Sequence, residues 1–421
     1  MEYTFKDVLK DFIHNIRGLQ KSLPLVMVFI QATKKNAENN LLNYMEEHSI
    51  IQDKNDGEIT YNVPPAHYYK FKKLLNELNG TNSSLNIIPR SFVVSLVSQF
   101  DAFLGNLIRV IYSTKPEILN ASQKSLCYSD IIEMDSIDDI KNYIIEEEIE
   151  TVLRKSHNDQ FNWLEKKLGM KLRKGLDCWT TFIEITERRN LFVHCDGVIS
   201  STYVKNCEDH GVCIDGREVG EKLNVSPDYF IQGCNCILEI GIKLVHVMWR
   251  KLNPEKRKEA DVNLNDIIYD CLSDEDYELS AILSEFATEV LRKYSSEEIR
   301  LFFVVNKAQA YKWKGKEDKC NRILNKIDWS AYGEQFKLAY YVLIDDFDKA
   351  VKVMKRIGDQ GSISKVYYKE WPLFKEFRNS DLFLETYEEI FNEKLNISEL
   401  KSRNQIMDFN SFDDVAVANE E

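Results

Sequence analysis

Residues that interrupt secondary structure are scarce in this sequence: only 16 glycines and 8 prolines occur among 421 residues. A fold rich in tight turns, such as a β-sandwich or a β-barrel, needs more of them. Apolar residues, in contrast, make up 44% of the chain, which is enough for packed cores. The composition therefore predicts an all-α protein, and a chain of this length predicts two or three domains.

Export signals and long apolar runs are missing as well. Residues 1–12 lack the basic start, apolar core and small-residue cleavage site of a secretory signal. The most apolar stretches, residues 23–32 and 237–249, are shorter than the roughly 20 residues that cross a bilayer. Nine cysteines without an export signal are typical of a reducing compartment. We therefore expect a cytoplasmic protein with no membrane span.

Positive charge is in deficit, because 55 Lys and Arg residues against 68 Asp and Glu residues give a formal net charge of -13. This argues against a protein that coats nucleic acid through many phosphate contacts. Any RNA-binding surface must then be local. The best candidate is a run that we call the basic segment: Lys166, Lys167, Lys171, Arg173 and Lys174. A second group of lysines surrounds two aromatic residues: Lys307, Tyr311, Lys312, Trp313, Lys314 and Lys316. For both groups the alternative is an ordinary solvated helix face.

The sequence has no established metal or cofactor motif. It contains no Cys-x-x-Cys pair, no Walker loop, no dinucleotide fingerprint and no nucleophile elbow. Several cysteines do lie near two histidines, but their spacing is not that of a zinc site: Cys195, Cys207, Cys213, Cys234 and Cys236, with His194 and His210. We therefore expect neither a metal nor a cofactor.

Apolar residues recur at helical spacing through the first two thirds of the chain. Residues 1–88 predict an N-terminal helical lobe, with helices over 3–47 and 68–78 and a turn-rich segment at 53–65. The polar run 79–86 predicts a boundary. Residues 89–255 then predict a helical bundle, with a hairpin or loop at 206–224 and helices over 91–112, 136–155, 159–168, 176–194 and 228–252.

The last third of the chain changes to paired helices. We predict them over residues 277–294, 296–314, 316–327, 333–343 and 347–357. Ala310-Tyr311 followed by Gly315 is echoed by Ala339-Tyr340 followed by Asp345-Asp346. Residues 256–403 therefore predict a stacked helical array that resembles tetratricopeptide repeats. Residues 404–421 are acidic and predict a disordered tail.

A group of polar residues stands out on one of the bundle helices. The segment from Phe182 to Gly197 reads FIEITERRNLFVHCDG. Asn190 and His194 are four residues apart and so lie on successive turns, whereas Arg189 is about 100 degrees around the helix from Asn190. Gly197 is well placed to end the helix, which puts His194 in its last turn.

Arg189, Asn190 and His194 resemble the motif of HEPN domains, in which an arginine, a polar residue that is often asparagine, three variable positions and a histidine end a bundle helix. The resemblance covers roughly residues 89–252. It implies metal-independent endoribonuclease activity, in which a ribose 2′-hydroxyl attacks the adjacent phosphate and leaves a 2′,3′-cyclic phosphate. His194 would act as general acid or base, Arg189 would stabilise the phosphate charge, and Asn190 would orient the imidazole or the phosphate.

Other charged residues of the chain have weaker claims to this site. Arg188 could assist Arg189, and Glu184 and Glu187 could hold either guanidinium. Asp101 has no evident catalytic role, although it is the single acid in the apolar helix over 91–112. The remaining histidines are isolated in the sequence and are expected at the surface or the core edge: His14, His48, His67, His157 and His246.

The resemblance also implies partners. The reaction needs both an acid and a base, and each chain offers one obvious histidine, so we expect a homodimer through the bundle that brings two motifs together on an RNA substrate. A bacterial toxin or anti-phage defence effector is the implied role, with an antitoxin or trigger protein on the helical array. The alternative is a non-catalytic dimerisation and RNA- or protein-binding module with a repeat scaffold, in which the motif is an inert polar network.

Overall fold

The computed structural model describes residues 3–55, 58–121, 126–127, 131, 134–214 and 216–396. These residues form fifteen α-helices and one two-stranded β-hairpin, so the chain is all-α as predicted. They divide into two compact units, the first ending at Pro254 and the second beginning at Glu255. The predicted tail over 404–421 lies outside the described residues.

The first unit contains the motif helix, α5, among seven described helices. A hairpin of β1 (Ile50–Asn55) and β2 (Glu58–Asn62) joins the first two, where the sequence predicted only turns. The helices of this unit are α1 Phe5–His48, α2 Tyr68–Thr114, α3 Ile137–Leu153, α4 His157–Leu168, α5 Trp179–His194, α6 Ser201–Asp209 and α7 Pro227–Leu252.

Helix α2 corrects the predicted break at residues 79–86, because the polar run lies inside one uninterrupted helix. The hydroxyls of Ser83 and Ser84 donate to carbonyls four residues earlier, each at 3.0 Å, so both side chains bond within the helix instead of forming a local turn. No residue of α2 before Pro89 is buried, whereas 14 residues from Pro89 to Tyr112 are. The polar run therefore marks the point where the helix enters the core. The separation of an N-terminal lobe from the bundle stays a prediction.

Helices α1 and α2 run antiparallel over most of their length. The amide of Asn15 donates to Gln99 at 2.9 Å near one end, and the Tyr44 hydroxyl lies 3.0 Å from His67 Nδ1 near the other. The part of α1 after Pro24 and the part of α2 before Pro89 contain few buried residues. We call this two-helix projection the arm, and the hairpin connects its two helices.

Helices α2 and α7 pack against the motif helix, α5, and the three together enclose the core. The Phe100 and Phe182 rings meet edge to face at 4.9 Å and join α2 to α5. Gly241 lets α7 approach α1 closely, because a Cβ there would clash with the Phe12 ring. Among the described helices, α2 and α7 are long and apolar enough to cross a membrane by length and composition only, and 50% and 78% of their most apolar windows are buried in the protein.

The second unit consists of short helices, most of them in consecutive pairs. Helix α9 ends earlier than predicted, because a π-helical turn over Phe286–Val290 replaces its last part. The bounds are α8 Arg257–Ser273, α9 Tyr277–Glu285, α10 Glu297–Trp313, α11 Glu317–Leu324, α12 Glu334–Leu343, α13 Phe347–Ile357, α14 Lys365–Glu370 and α15 Asp381–Phe391.

Three junctions of this unit share one turn geometry. Glu275, Gly315 and Asp345 adopt left-handed φ angles of 60, 69 and 60 degrees between α8 and α9, α10 and α11, and α12 and α13. In each case the next residue donates its N–H to a carbonyl five positions earlier, at 2.8, 2.9 and 2.9 Å. The helix pairs therefore repeat as a structural unit, and their relation to tetratricopeptide repeats stays a prediction.

Candidate active site

The end of α5 fixes the position of the motif. The backbone N–H groups of Cys195 and Gly197 both donate to the carbonyl of Leu191, at 2.8 and 3.0 Å, and Gly197 has a left-handed φ of 80 degrees. A Cβ at this glycine would lie only 3.3 Å from the Leu223 carbonyl oxygen. The prediction that Gly197 terminates the helix is confirmed, and His194 is the last helical residue.

His194 is the most accessible of the three motif side chains. The His194 imidazole is exposed and the Asn190 amide is half-buried. Within the described part of the chain, neither forms a hydrogen bond or an ion pair, with each other or with Arg189. Both groups are therefore available to a ligand.

Arg189 turns toward two other helices. Its Nη2 donates to Asp101 Oδ2 on α2 at 3.2 Å, and the other carboxylate oxygen of Asp101 lies 3.0 Å from Nε2 of His157, the first residue of α4. The Nε of Arg189 is buried without a hydrogen-bond partner. The structure thus gives Arg189 a fixed orientation on one side of α5.

Sequence reasoning missed Asp101 and His157. Asp101 was detectable in principle, because a lone acid on the apolar face of a long helix must find a polar partner when that face is buried. His157 gave no such signal, since its proximity to Asp101 depends on how α4 packs against α2. Both residues belong to the surroundings of the motif.

Arg188 lies in the interior rather than beside Arg189. Its Nε donates to Glu184 Oε1 at 2.7 Å, and its guanidinium stacks 4.0 Å from the centre of the Tyr229 ring. With 4% of its surface exposed, Arg188 cannot reach a substrate in this arrangement. Glu184 therefore does hold one of the two guanidiniums, but the buried one.

Glu184 is the centre of a buried network that joins α5, α6 and α7. Besides Arg188, its carboxylate accepts hydrogen bonds from the hydroxyls of Tyr203 and Tyr229, at 2.8 and 2.7 Å, and from Arg217 at 3.2 Å. Burial, and then the Glu184 charge, raise the pKa of both tyrosines above the ordinary value, so they remain donors. The network holds α5 against α6 and α7.

Glu187 holds neither arginine. Its carboxylate accepts a hydrogen bond of 2.9 Å from the Asn206 amide, which ties α5 to α6. Beyond the helix end, Asp196 pairs with Lys222 at 2.5 Å and with Arg90 at 3.3 Å. The hydrogen bond and charge of Lys222 lower the pKa of the Asp196 carboxyl. These contacts anchor the chain on both sides of His194.

The basic segment is only partly available to RNA. Arg173 bonds to Glu165, Asn158 and Asn162 at 2.6, 2.7 and 2.6 Å, and Lys167 lies 5.8 Å from the centre of the Trp163 ring. The other three side chains are exposed and have no ion pair with the described residues: Lys166, Lys171 and Lys174. The segment precedes Trp179, which is about 15 Å along α5 from Arg189 at 1.5 Å per residue.

Lysines of the second cluster form ion pairs with acidic residues of their own unit. Lys307 pairs with Glu289 at 2.6 Å and Lys312 pairs with Asp345 at 2.5 Å, while Lys314 pairs with Glu278. Lys312 also donates to the Leu343 carbonyl at 3.0 Å, at the end of α12. Three of the four lysines therefore hold parts of the array together and are not available to a phosphate, whereas Lys316 is exposed.

The cysteines of the described residues do not form a metal-binding cluster. None of the nine forms a disulfide, and among the described residues no group of three or more His, Cys, Asp and Glu side chains could hold a metal ion. Burial raises the pKa of Cys207 to about 11 and that of Cys234 to about 12, which keeps both thiols protonated at neutral pH.

In comparisons with known proteins, the chain matched no family model, no curated protein and no solved structure. An exposed imidazole, an accessible amide and an oriented guanidinium on one helix can transfer a proton and stabilise an anion.

Proposed function

We propose that the first unit is a HEPN-type endoribonuclease that cleaves RNA without a metal ion in the cytoplasm. The observation that carries the proposal is the exposed His194 at the last position of α5, one turn from Asn190, on a helix that also presents Arg189. An imidazole titrates near neutral pH, which suits a group that must both accept and release a proton.

The proposed reaction is an internal transfer of the phosphate. A base, His194, removes the proton of a ribose 2′-hydroxyl, and that oxygen forms a bond to the adjacent phosphorus. The bond from phosphorus to the 5′-oxygen breaks, and an acid protonates this oxygen as it leaves. The products are a 2′,3′-cyclic phosphate and a 5′-hydroxyl, and Arg189 stabilises the negative charge on the phosphoryl oxygens.

A homodimer would supply both proton-transfer groups. Each chain offers one exposed histidine in the motif, so a two-fold axis beside the end of α5 would bring a second His194 to the same phosphate. The implied biological role is a bacterial toxin or anti-phage defence effector. The repeated helix pairs of the second unit would then receive an antitoxin or a trigger protein.

The direct test compares the wild-type protein with His194→Ala, each incubated with total RNA in excess chelator. We expect the wild type to produce fragments that end in a cyclic phosphate, and the variant to be at least about 100-fold slower, which is the usual loss when a general acid or base is removed. His14→Ala, at an exposed position of α1, is the matched control. Equal cleavage by the wild type and His194→Ala, or cleavage only with added metal, would refute the assignment.

The second candidate is a non-catalytic module for dimerisation and for binding RNA or protein. The arm favours it, because Leu25, Val28 and Phe29 of α1 are 54%, 66% and 73% exposed. Their spacing of three and four residues makes one apolar stripe of a kind that often binds a partner. Under this alternative the protein binds RNA or a partner and leaves RNA intact.

A further inference from the structure

Three ionisable side chains from three helices meet beside the motif. Asp101 of α2 lies between Arg189 of α5 and His157 of α4, at 3.2 and 3.0 Å. The side chains of Asp101 and Arg189 are each about one quarter exposed, whereas that of His157 is only 7% exposed. Asp101 is therefore the link between a buried ring and a partly accessible cation.

His157 is arranged to support Asp101 rather than to react. Its Nε2, at the tip of the ring, faces the carboxylate, and the ring packs against Phe182 at 5.6 Å and Phe100 at 6.1 Å. A histidine that acts on a substrate must present a ring nitrogen to it, and this ring is enclosed by aromatic side chains. His157 fixes the carboxylate of Asp101 in place.

Arg189 needs such a partner. Its side chain is long and flexible, and its position on the helix is about 100 degrees from Asn190 and about 140 degrees from His194. A guanidinium must be oriented before the reaction if it is to stabilise a transition state rather than only attract phosphate. The contact with Asp101 occupies Nη2 and leaves Nη1 without a partner among the described residues.

We propose that Asp101 is a positioning residue of the active site: supported by His157, it holds the Arg189 guanidinium in the orientation that stabilises the RNA phosphate during cleavage. This inference rests on the proposed endoribonuclease function. The negative charge of Asp101 also weakens the attraction of Arg189 for phosphate, so its removal should affect binding and catalysis in opposite directions.

Asp101→Asn preserves the shape of the side chain and removes its charge. We expect kcat on a short RNA to fall about 10- to 100-fold, because a misplaced group loses most of its catalytic effect. Affinity for the same RNA, measured by fluorescence anisotropy in the inactive His194→Ala background, should be unchanged or up to about fivefold tighter, as for the loss of one partly exposed opposing charge. A merely destabilised protein would lose binding and rate together.

Two further sets of variants complete the experiment. His157→Gln keeps an N–H donor of similar reach and should retain more of kcat than His157→Ala, which removes the donor. Glu146→Gln is the matched control, since it breaks the 2.6 Å ion pair with Arg109, which is about 12 Å along α2 from Asp101. It should leave kcat within about twofold of the wild type.

The outcomes separate the two proposals. If His194→Ala abolishes cleavage while Asp101→Asn stays within about threefold of the wild type, the positioning role is refuted and the endoribonuclease stands. A parallel loss of kcat and RNA affinity in Asp101→Asn also refutes it. Wild-type protein that fails to cleave RNA refutes the proposed function, and the inference falls with it.

Discussion

Arg188 and Arg189 are neighbours in the sequence, but helical geometry sends them to different surroundings. A step of about 100 degrees takes one guanidinium into the buried network around Glu184 and the other to Asp101 at the edge of the core. Two adjacent arginines therefore perform different tasks. The first is held in the buried network of the motif helix, and the second keeps a partly exposed guanidinium beside Asp101.

This difference predicts the effect of removing Glu184. Glu184→Ala leaves the Arg188 charge buried without its carboxylate, and such a loss is worth about 3–5 kcal/mol of unfolding free energy. Glu187→Ala, one turn away, removes a single hydrogen bond from Asn206 and should cost about 1 kcal/mol. Urea unfolding followed by circular dichroism measures both. If both variants lose the same unfolding free energy, the network around Glu184 contributes no more to stability than the single hydrogen bond of Glu187.

At the scale of elements, one carboxylate organises the connection between α4 and α5. Glu165 accepts hydrogen bonds from the backbone N–H groups of Leu172 and Arg173, at 2.7 and 3.0 Å, and from the Arg173 guanidinium at 2.6 Å. Burial alone would raise the pKa of this carboxyl, but the hydrogen bonds from Arg173 and Leu172 and the charge of Arg173 lower it more, so the pKa is below its ordinary value of 4.5. The basic segment is thereby held in a defined path.

The shift sets the sign of a pH dependence. A carboxyl whose pKa is lower in the folded than in the unfolded state stabilises the fold above the unfolded pKa, and this contribution disappears as the pH falls through the folded pKa. Glu165→Gln should therefore be less stable than the wild type at neutral pH, with a gap that closes below about pH 4.5. Urea unfolding at several pH values provides the measurement. A gap that does not change with pH would contradict this account.

Periodicity predicted most helices but not how they meet. The predicted helix over residues 347–357 is confirmed at both ends, and α5 and α7 begin or end within three residues of their predicted bounds. The run 79–86 misled because serine and asparagine favour turns locally, and packing of α1 against α2 overrides that preference. Asp101 and Arg189 are 88 positions apart, and no local pattern encodes such a contact.

At the scale of the whole molecule, the chain divides after Pro254, and every residue of the proposed site precedes that division. A fragment of residues 1–254 should therefore fold and cleave RNA. If the helical array restrains the first unit, the fragment should be at least as fast as the full chain. Circular dichroism and the RNA cleavage assay test this. A folded fragment that is inactive, beside an active full chain, would show that the second unit is needed for catalysis.

The arm affects how a dimer can be detected. From Tyr68 to Ile88, α2 extends about 30 Å beyond its residues that are buried in the core, and α1 packs along it. A projection of this length increases friction in water more than it increases mass. A monomer of residues 1–254 would consequently leave a sizing column early, at the volume of a heavier compact protein. The stoichiometry of this unit must be read from light scattering or sedimentation equilibrium, which report mass independently of shape.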